Sequence, residues 1–247
     1  MDRKAVIERA AAAGIERLLV PGYDLPSSRA AVALAAEYPD FVQAAVGVHP
    51  HYAAGASGAD WEELASLAAL RGVVAIGEIG LDYFRNLSPP DAQRDAFGRQ
   101  LELAAAAGKP VIVHDREAHD DIASTLRTWA GRQPLAVPGI LHAFSGDADM
   151  AAGLAALGFL VSFALPLTFR SASGPRAAAA RLPASQILVE TDAPWLAPGG
   201  STERNEPTTV LRVAAELARL RDTTPEAIAS SVRVAYERFV APHEKPQ

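Results

Sequence analysis

The feature that most constrains this chain is a repeated pattern in which a short apolar run ends on a group able to bind a metal. Val111-Ile112-Val113 leads into His114, Val46-Gly47-Val48 into His49 and Val73-Val74-Ala75-Ile76-Gly77 into Glu78. Gly139-Ile140-Leu141 leads into His142, and Ile187-Leu188-Val189-Glu190-Thr191 into Asp192. Apolar runs without polar alternation read as strands buried on both faces, as in a parallel sheet. Parallel strands present functional groups at their C-terminal ends, and in a barrel those ends share one mouth. The pattern therefore predicts five potential ligands converging on one site.

Between the runs lie helical stretches, so the chain alternates strand and helix, the signature of a parallel sheet with right-handed crossovers. Its 247 residues match a single (β/α)8 barrel, and 1–247 reads as one domain. Strands are expected near 15–20, 41–48, 73–77, 111–113, 139–141, 159–163 and 187–191, and helices over 1–13, 61–70, 91–107, 117–130, 207–220 and 225–240. Further helices are expected from Ser27 or Ser28 to Tyr38, after Asp147, and around Arg176 to Arg181. A closed barrel has eight strands, whereas this chain supplies seven and opens on a helix. The fold class expected is α/β, a TIM-like (β/α) barrel missing its first strand. Such an opening would leave unpaired backbone and exposed apolar interior at its edges.

Net charge is -6, which argues against nonspecific coating of a duplex. With no cysteine, disulfides and zinc–thiolate sites are excluded, in keeping with a cytoplasmic location. Met150 to Phe169 is uncharged and long enough to span a bilayer, but Gly158 and Pro166 interrupt it. No membrane partner is expected.

Singly, a histidine or carboxylate at a strand end reads as a capping or hydrogen-bonding residue. Five together read as a metal-hydrolase design. Mixed carboxylate and imidazole ligands suit Zn, Mn, Fe or Mg. A glutamate able to bridge two ions fits phosphoester hydrolysis, where paired metals clamp the attacking and leaving oxygens.

The blocks Gly47-Val48-His49-Pro50-His51, Ile76-Gly77-Glu78-Ile79-Gly80-Leu81-Asp82-Tyr83, Val113-His114-Asp115-Arg116, His142-Ala143-Phe144-Ser145-Gly146 and Glu190-Thr191-Asp192-Ala193-Pro194 carry a resemblance. With Gly158 to Phe163 and Arg204-Asn205-Glu206-Pro207, they resemble the TatD family of metal-dependent deoxyribonucleases, in register from the first helix to the last. The resemblance implies a phosphodiesterase that uses divalent ions (Mg, Mn or Zn) to activate water, with DNA as substrate and no obligate protein partner. By analogy Glu78 bridges two ions, His114 and His142 bind the second, and Asp192 binds the first and helps deprotonate the water. Glu78 and Asp192 are thus the implied catalytic pair, and His49, Arg116 and Asn205 look like substrate-binding groups. A salt bridge near Asp115 or Glu117 is the other reading of Arg116. His51 and His119 read as polar loop or helix residues, Asp82 and Tyr83 as loop-shaping ones.

The family opens with a strand carrying a His-x-His pair that binds the first ion, and no such pair precedes Gly14. Without it the first ion keeps only Glu78 and Asp192, so one well-held ion, at Glu78, His114 and His142, is the expectation. Two other readings stand beside the nuclease: a metal-dependent deacylase or amidohydrolase, for example on mischarged tRNA, and a truncated, inactive form with one metal site.

Overall fold

The computed structural model describes residues 2–197 and 204–241. Seven strands pair in parallel and in sequence order: β1 (Leu18–Pro21), β2 (Val42–Val46), β3 (Val73–Asp82), β4 (Val111–Arg116), β5 (Gly139–Leu141), β6 (Leu160–Phe163) and β7 (Ile187–Val189). The sheet curls into a half-barrel, with no β1–β7 pairing among the described residues. Nine helices are described: α1 (Arg3–Ala12), α2 (Leu25–Glu37), α3 (Gly58–Ala68), α4 (Pro90–Ala107), α5 (His119–Ala130), α6 (Ala148–Ala155), α7 (Ser173–Arg181), α8 (Val210–Leu220) and α9 (Pro225–Val240).

The boundaries follow local chemistry. Asp24, rather than Ser27 or Ser28, caps α2, because Ser27 closes a reciprocal capping box with it. Asp147 caps α6, and Thr224 caps α9 ahead of its first-turn proline. The uncharged stretch from Met150 divides into α6, β6 and a 3-10 turn at Leu165–Thr168. No described helix is long and apolar enough to cross a membrane.

Two apolar layers sandwich the sheet. On the outer face, Val46, Ile76, Val111, Val113, Leu141, Val161 and Ile187 pack against Leu64, Phe97, Leu126, Leu154 and Leu217 of the surrounding helices. The inner face takes one residue from each of six strands: Ala45, Ala75, Ile112, Ile140, Leu160 and Leu188. The exposure expected at the open edges is partial, with Leu18–Pro21 of β1 and Val189 of β7 half-buried, and the inner layer itself is covered. Ala235 and Phe239 of α9, both wholly buried, cover this layer. Tyr236 Oη donates to Gln43 Oε1 at 2.6 Å, tying α9 to β2. Apolar area that an open sheet would leave wet is removed from water by that helix. At the other end of the chain, Arg9 pairs with Glu206 and Asp2 with Arg204, which holds α1 to the segment after β7.

Helix α4 also carries a polar device. Gln93 and Gln100 are seven apart, on one face, and both are buried. Gln100 accepts from Val48 N–H at 2.7 Å and donates to Val48 C=O at 3.0 Å, which holds the backbone beside His49. Gln93 does the same for Asp82, at 2.8 and 3.1 Å. Each amide saturates a backbone unit at the functional edge that no neighbouring strand reaches. Gln100→Ala orphans both Val48 groups at about 1–3 kcal/mol each. Urea denaturation should show a loss of about 2–4 kcal/mol; a change below about 0.5 kcal/mol, typical of surface substitutions, would refute the clamp.

Candidate metal centre

Glu78 lies four residues before the end of β3, not at its tip. Ile76 pairs with Val111 but Ile79 with Val113, so three steps on β3 match two on β4. Such a bulge re-aims a side chain, here Glu78. The flanking glycines make it feasible. A Cβ at Gly77 would fall 2.6 Å from Ile112 Cβ. Gly80 has φ +140°, and its Cβ would fall 2.0 Å from the His114 carbonyl oxygen. Strand β4 can approach Glu78 only because neither position has a side chain.

Glu78 Oε1 is the centre of the site. His114 Nδ1 donates to it at 2.8 Å, while His49 Nε2 and His142 Nε2 each lie 3.6 Å away. His142 Nε2 is also 3.6 Å from Asp192 Oδ1. Behind this ring stand further carboxylates. Glu190 Oε1 accepts from His142 Nδ1 at 2.8 Å and from Ala143 N–H at 2.9 Å. Asp82 Oδ2 faces His114 Nε2 at 3.2 Å and His51 Nε2 at 2.7 Å.

The protonation states follow from these contacts. Burial opposes ionisation of Glu78, but His142 and His114 outweigh it and hold the carboxyl below the usual range. Burial also opposes charge on His114, yet Asp82 and Glu78 raise it to about 9. His142 is raised well above its ordinary value against burial, chiefly by Glu190 and Glu78. Burial drives His49 down to about 3. Burial pushes Asp192 up to about 6, aided by the charges of Glu78 and Glu190.

These residues fit a divalent ion, in distinct roles. Donors about 2.1 Å from one tetrahedral ion lie roughly 3.4 Å apart. The 3.6 Å separations from His142 Nε2 to Glu78 and Asp192 match that spacing and are too long for hydrogen bonds. Glu190 accepts the Nδ1–H hydrogen bond of His142 and so turns Nε2 toward both carboxylates, the usual orientation of a histidine that binds a metal in place of its Nε2 proton. Ligand atoms of His49, Glu78 and His114 also lie within 4.8 Å of one another. His49 nevertheless fits a donor role better. Its Nδ1 accepts from His51 N–H at 3.1 Å, so in the neutral ring Nε2 bears the proton and has no lone pair to offer.

The structure thus brings Glu78, His114, His142, Asp192 and His49 together. Arg116 forms no ion pair with Asp115 or Glu117; its guanidinium lies 4.3 Å from the Phe84 ring centroid. Asn205, only 2% exposed, donates Nδ2 to the carbonyls of Thr191 and Trp195 at 2.7 and 2.6 Å, and its Oδ1 has no partner among the described residues. It pins the loop in which Asp192 holds a left-handed φ of +57°. His119 pairs with Asp115 and the Tyr83 hydroxyl with Asp121, both outside the ring, as their loop and helix positions suggested. Sequence reasoning missed Glu190, whose only signal was its place two residues before Asp192. It also underrated Asp82 and His51, since nothing in spacing shows that β3 runs on to bring Asp82 beside His114.

A sheet with this ring of imidazoles and carboxylates at its C-terminal edge defines a metal-dependent hydrolase. A family model described as TatD related DNase matches residues 1–241, and the chain belongs to that family. It is 40% identical over 230 residues to the uncharacterized metal-dependent hydrolase YabD of Bacillus subtilis, covering 93% of this chain and 89% of that protein. It is 38% identical to the 3'-5' ssDNA/RNA exonuclease TatD of Yersinia pseudotuberculosis, covering 91% and 87%. The crystal structure of YJJV, a TatD homologue from Escherichia coli, superposes with TM-score 0.89 at 32% identity, over 98% of this chain and 92% of that one.

Glu190 yields the test of this geometry. Glu190→Ala removes the group that orients His142 and should weaken Mn²⁺ binding about 10–100-fold in calorimetric titration. Unchanged affinity would show that His142 does not ligate through Nε2.

Proposed function

We propose that this protein is a nuclease that hydrolyses phosphodiester bonds of single-stranded DNA or RNA. The reading rests on one observation: His142 Nε2 lies 3.6 Å from both Glu78 Oε1 and Asp192 Oδ1, an ion-sharing distance, and His114 stands against the same Glu78 oxygen. The names of its exonuclease relatives point to the same substrate. Glu78, His142 and Asp192 would hold the ion, joined by His114 once the ion displaces one of its ring protons, and this mixed nitrogen and oxygen set suits Mn, Zn or Mg. When bound, the ion supplies a Lewis acid toward a phosphoryl oxygen and lowers the pKa of water.

The chain's own residues do the rest. Asp192, a carboxylate already raised toward neutrality, accepts the proton of the attacking water. His49, neutral and with its proton on Nε2, donates toward a phosphate oxygen. Arg116 presents a planar fork that matches phosphate oxygens. Asn205 is a positioning residue: it holds the Asp192 loop through backbone carbonyls.

Hydrolysis of a single-stranded oligonucleotide with Mn²⁺ tests the assignment. Glu78→Ala should abolish turnover, and Asp192→Asn should lower kcat about 10²–10⁴-fold, because an amide is no base. Full rates in either variant, or cleavage of acyl esters and amides but no phosphodiester by the unaltered protein, would overturn it.

A further inference from the structure

The edge that carries the ligands also carries the exposed aromatic rings. Among the described residues the large exposed aromatics are Tyr23, Tyr52, Phe84, Phe169 and Trp195, between 44% and 67% exposed. Every one follows the C-terminal end of a strand: Tyr23 after β1, Tyr52 after β2, Phe84 after β3, Phe169 after β6 and Trp195 after β7. None lies at the opposite edge or on the outer helices. Exposed apolar surface gathered around a polar site marks a binding surface.

Two pairs have geometry of their own. Tyr23 and Tyr52 stack with ring centroids 5.6 Å apart and planes at 29°. Both are bound through backbone to His49: His49 N–H donates to the Tyr23 carbonyl, and Tyr52 N–H donates to the His49 carbonyl, each at 2.9 Å. The second pair is Phe84 with the Arg116 guanidinium over its face. It is fastened to His114 in two ways. Arg116 lies two residues beyond His114 on β4, and Phe84 two residues beyond Asp82, which faces His114 Nε2 at 3.2 Å. The rings of His49 and His114 are themselves 4.3 Å apart. Both aromatic pairs are therefore built onto the residues that surround Glu78.

We propose that these pairs are base-stacking platforms, the Tyr23–Tyr52 pair receiving one nucleobase and the Phe84–Arg116 pair another, with the phosphodiester between them at Glu78. The proposal rests on the nuclease reading and adds how the strand is recognised. An aromatic or guanidinium face stacks on any base, but only where the base is unpaired, since a duplex presents base edges and backbone. The charge of the chain points the same way. At -6, the protein has no excess of cations with which to attract a polyanion. Stacking then adds to the ion and to the few phosphate contacts of His49 and Arg116 as a source of affinity, which should depend weakly on salt.

Strands with and without bases test this directly. KM and kcat would be measured with Mn²⁺ for an oligodeoxynucleotide and for the same length of abasic, tetrahydrofuran-linked strand. With the unaltered protein, the abasic strand should show a KM at least tenfold higher. Tyr52→Ala and Phe84→Ala should each raise KM for the normal strand about tenfold, with a smaller effect on kcat, and add little for the abasic strand. Tyr52→Phe, which keeps the ring, should retain the original KM. A phosphorothioate strand carrying 2-aminopurine should lose fluorescence on binding the unaltered protein, and lose less with either alanine variant. Cleavage of normal and abasic strands with equal KM would overturn the stacking proposal and leave the nuclease reading standing. Failure to cleave either strand would overturn the nuclease reading and this proposal with it.

Discussion

The structure depends on one buried carboxylate, Glu78. Its Oε1 accepts a hydrogen bond from His114 and lies 3.6 Å from two further imidazoles, contributed by the segments after β2 and β5. An ionised carboxylate in a low-dielectric interior is tolerated only with such partners, because burial alone would neutralise it. Equally, the imidazoles near it would be poor neighbours for one another without its charge. The site is thus a mutual arrangement: remove the carboxylate and buried cations repel; remove the imidazoles and a buried anion is stranded.

Holding that arrangement requires close strands and saturated edges. The bulge in β3 turns Glu78 toward the ring, and Gly77 and Gly80 let β4 approach. Glu190 orients His142, Asp82 orients His114 and His51, and the two buried glutamines of α4 complete the backbone bonding of Val48 and Asp82. Asn205 restrains the loop of Asp192 from the other side. Each ring member is fixed by a neighbour that itself cannot move freely, which is how a centre holds catalytic geometry without reorganising.

The half-barrel is completed by apolar packing. Seven strands leave an inner face that barrel closure would ordinarily hide, and Phe239 and Ala235 of α9 cover it. The rim above shows the opposite economy of surface. Among the described residues the exposed aromatic rings lie at the edge where a substrate would meet them.

The parallel sheet, its seven strands and the convergence of His49, Glu78, His114, His142 and Asp192 were legible in the sequence. Burial on both faces imposes continuous apolar runs, and a functional residue at the end of each run marks the shared edge. The TatD resemblance was legible too, since its blocks contain the glycines that the close approach of strands demands. What lay beyond the sequence were the relations between residues far apart in it. Glu190 and Asp82 became partners of His142 and His114, Asn205 turned to a loop's carbonyls, Gln93 and Gln100 to strand ends, and α9 to the inner face. Such roles have no periodicity. A polar side chain reads alike in a sequence whether it faces water or a buried donor, and only the tertiary structure, by removing the water, decides which partner it must find.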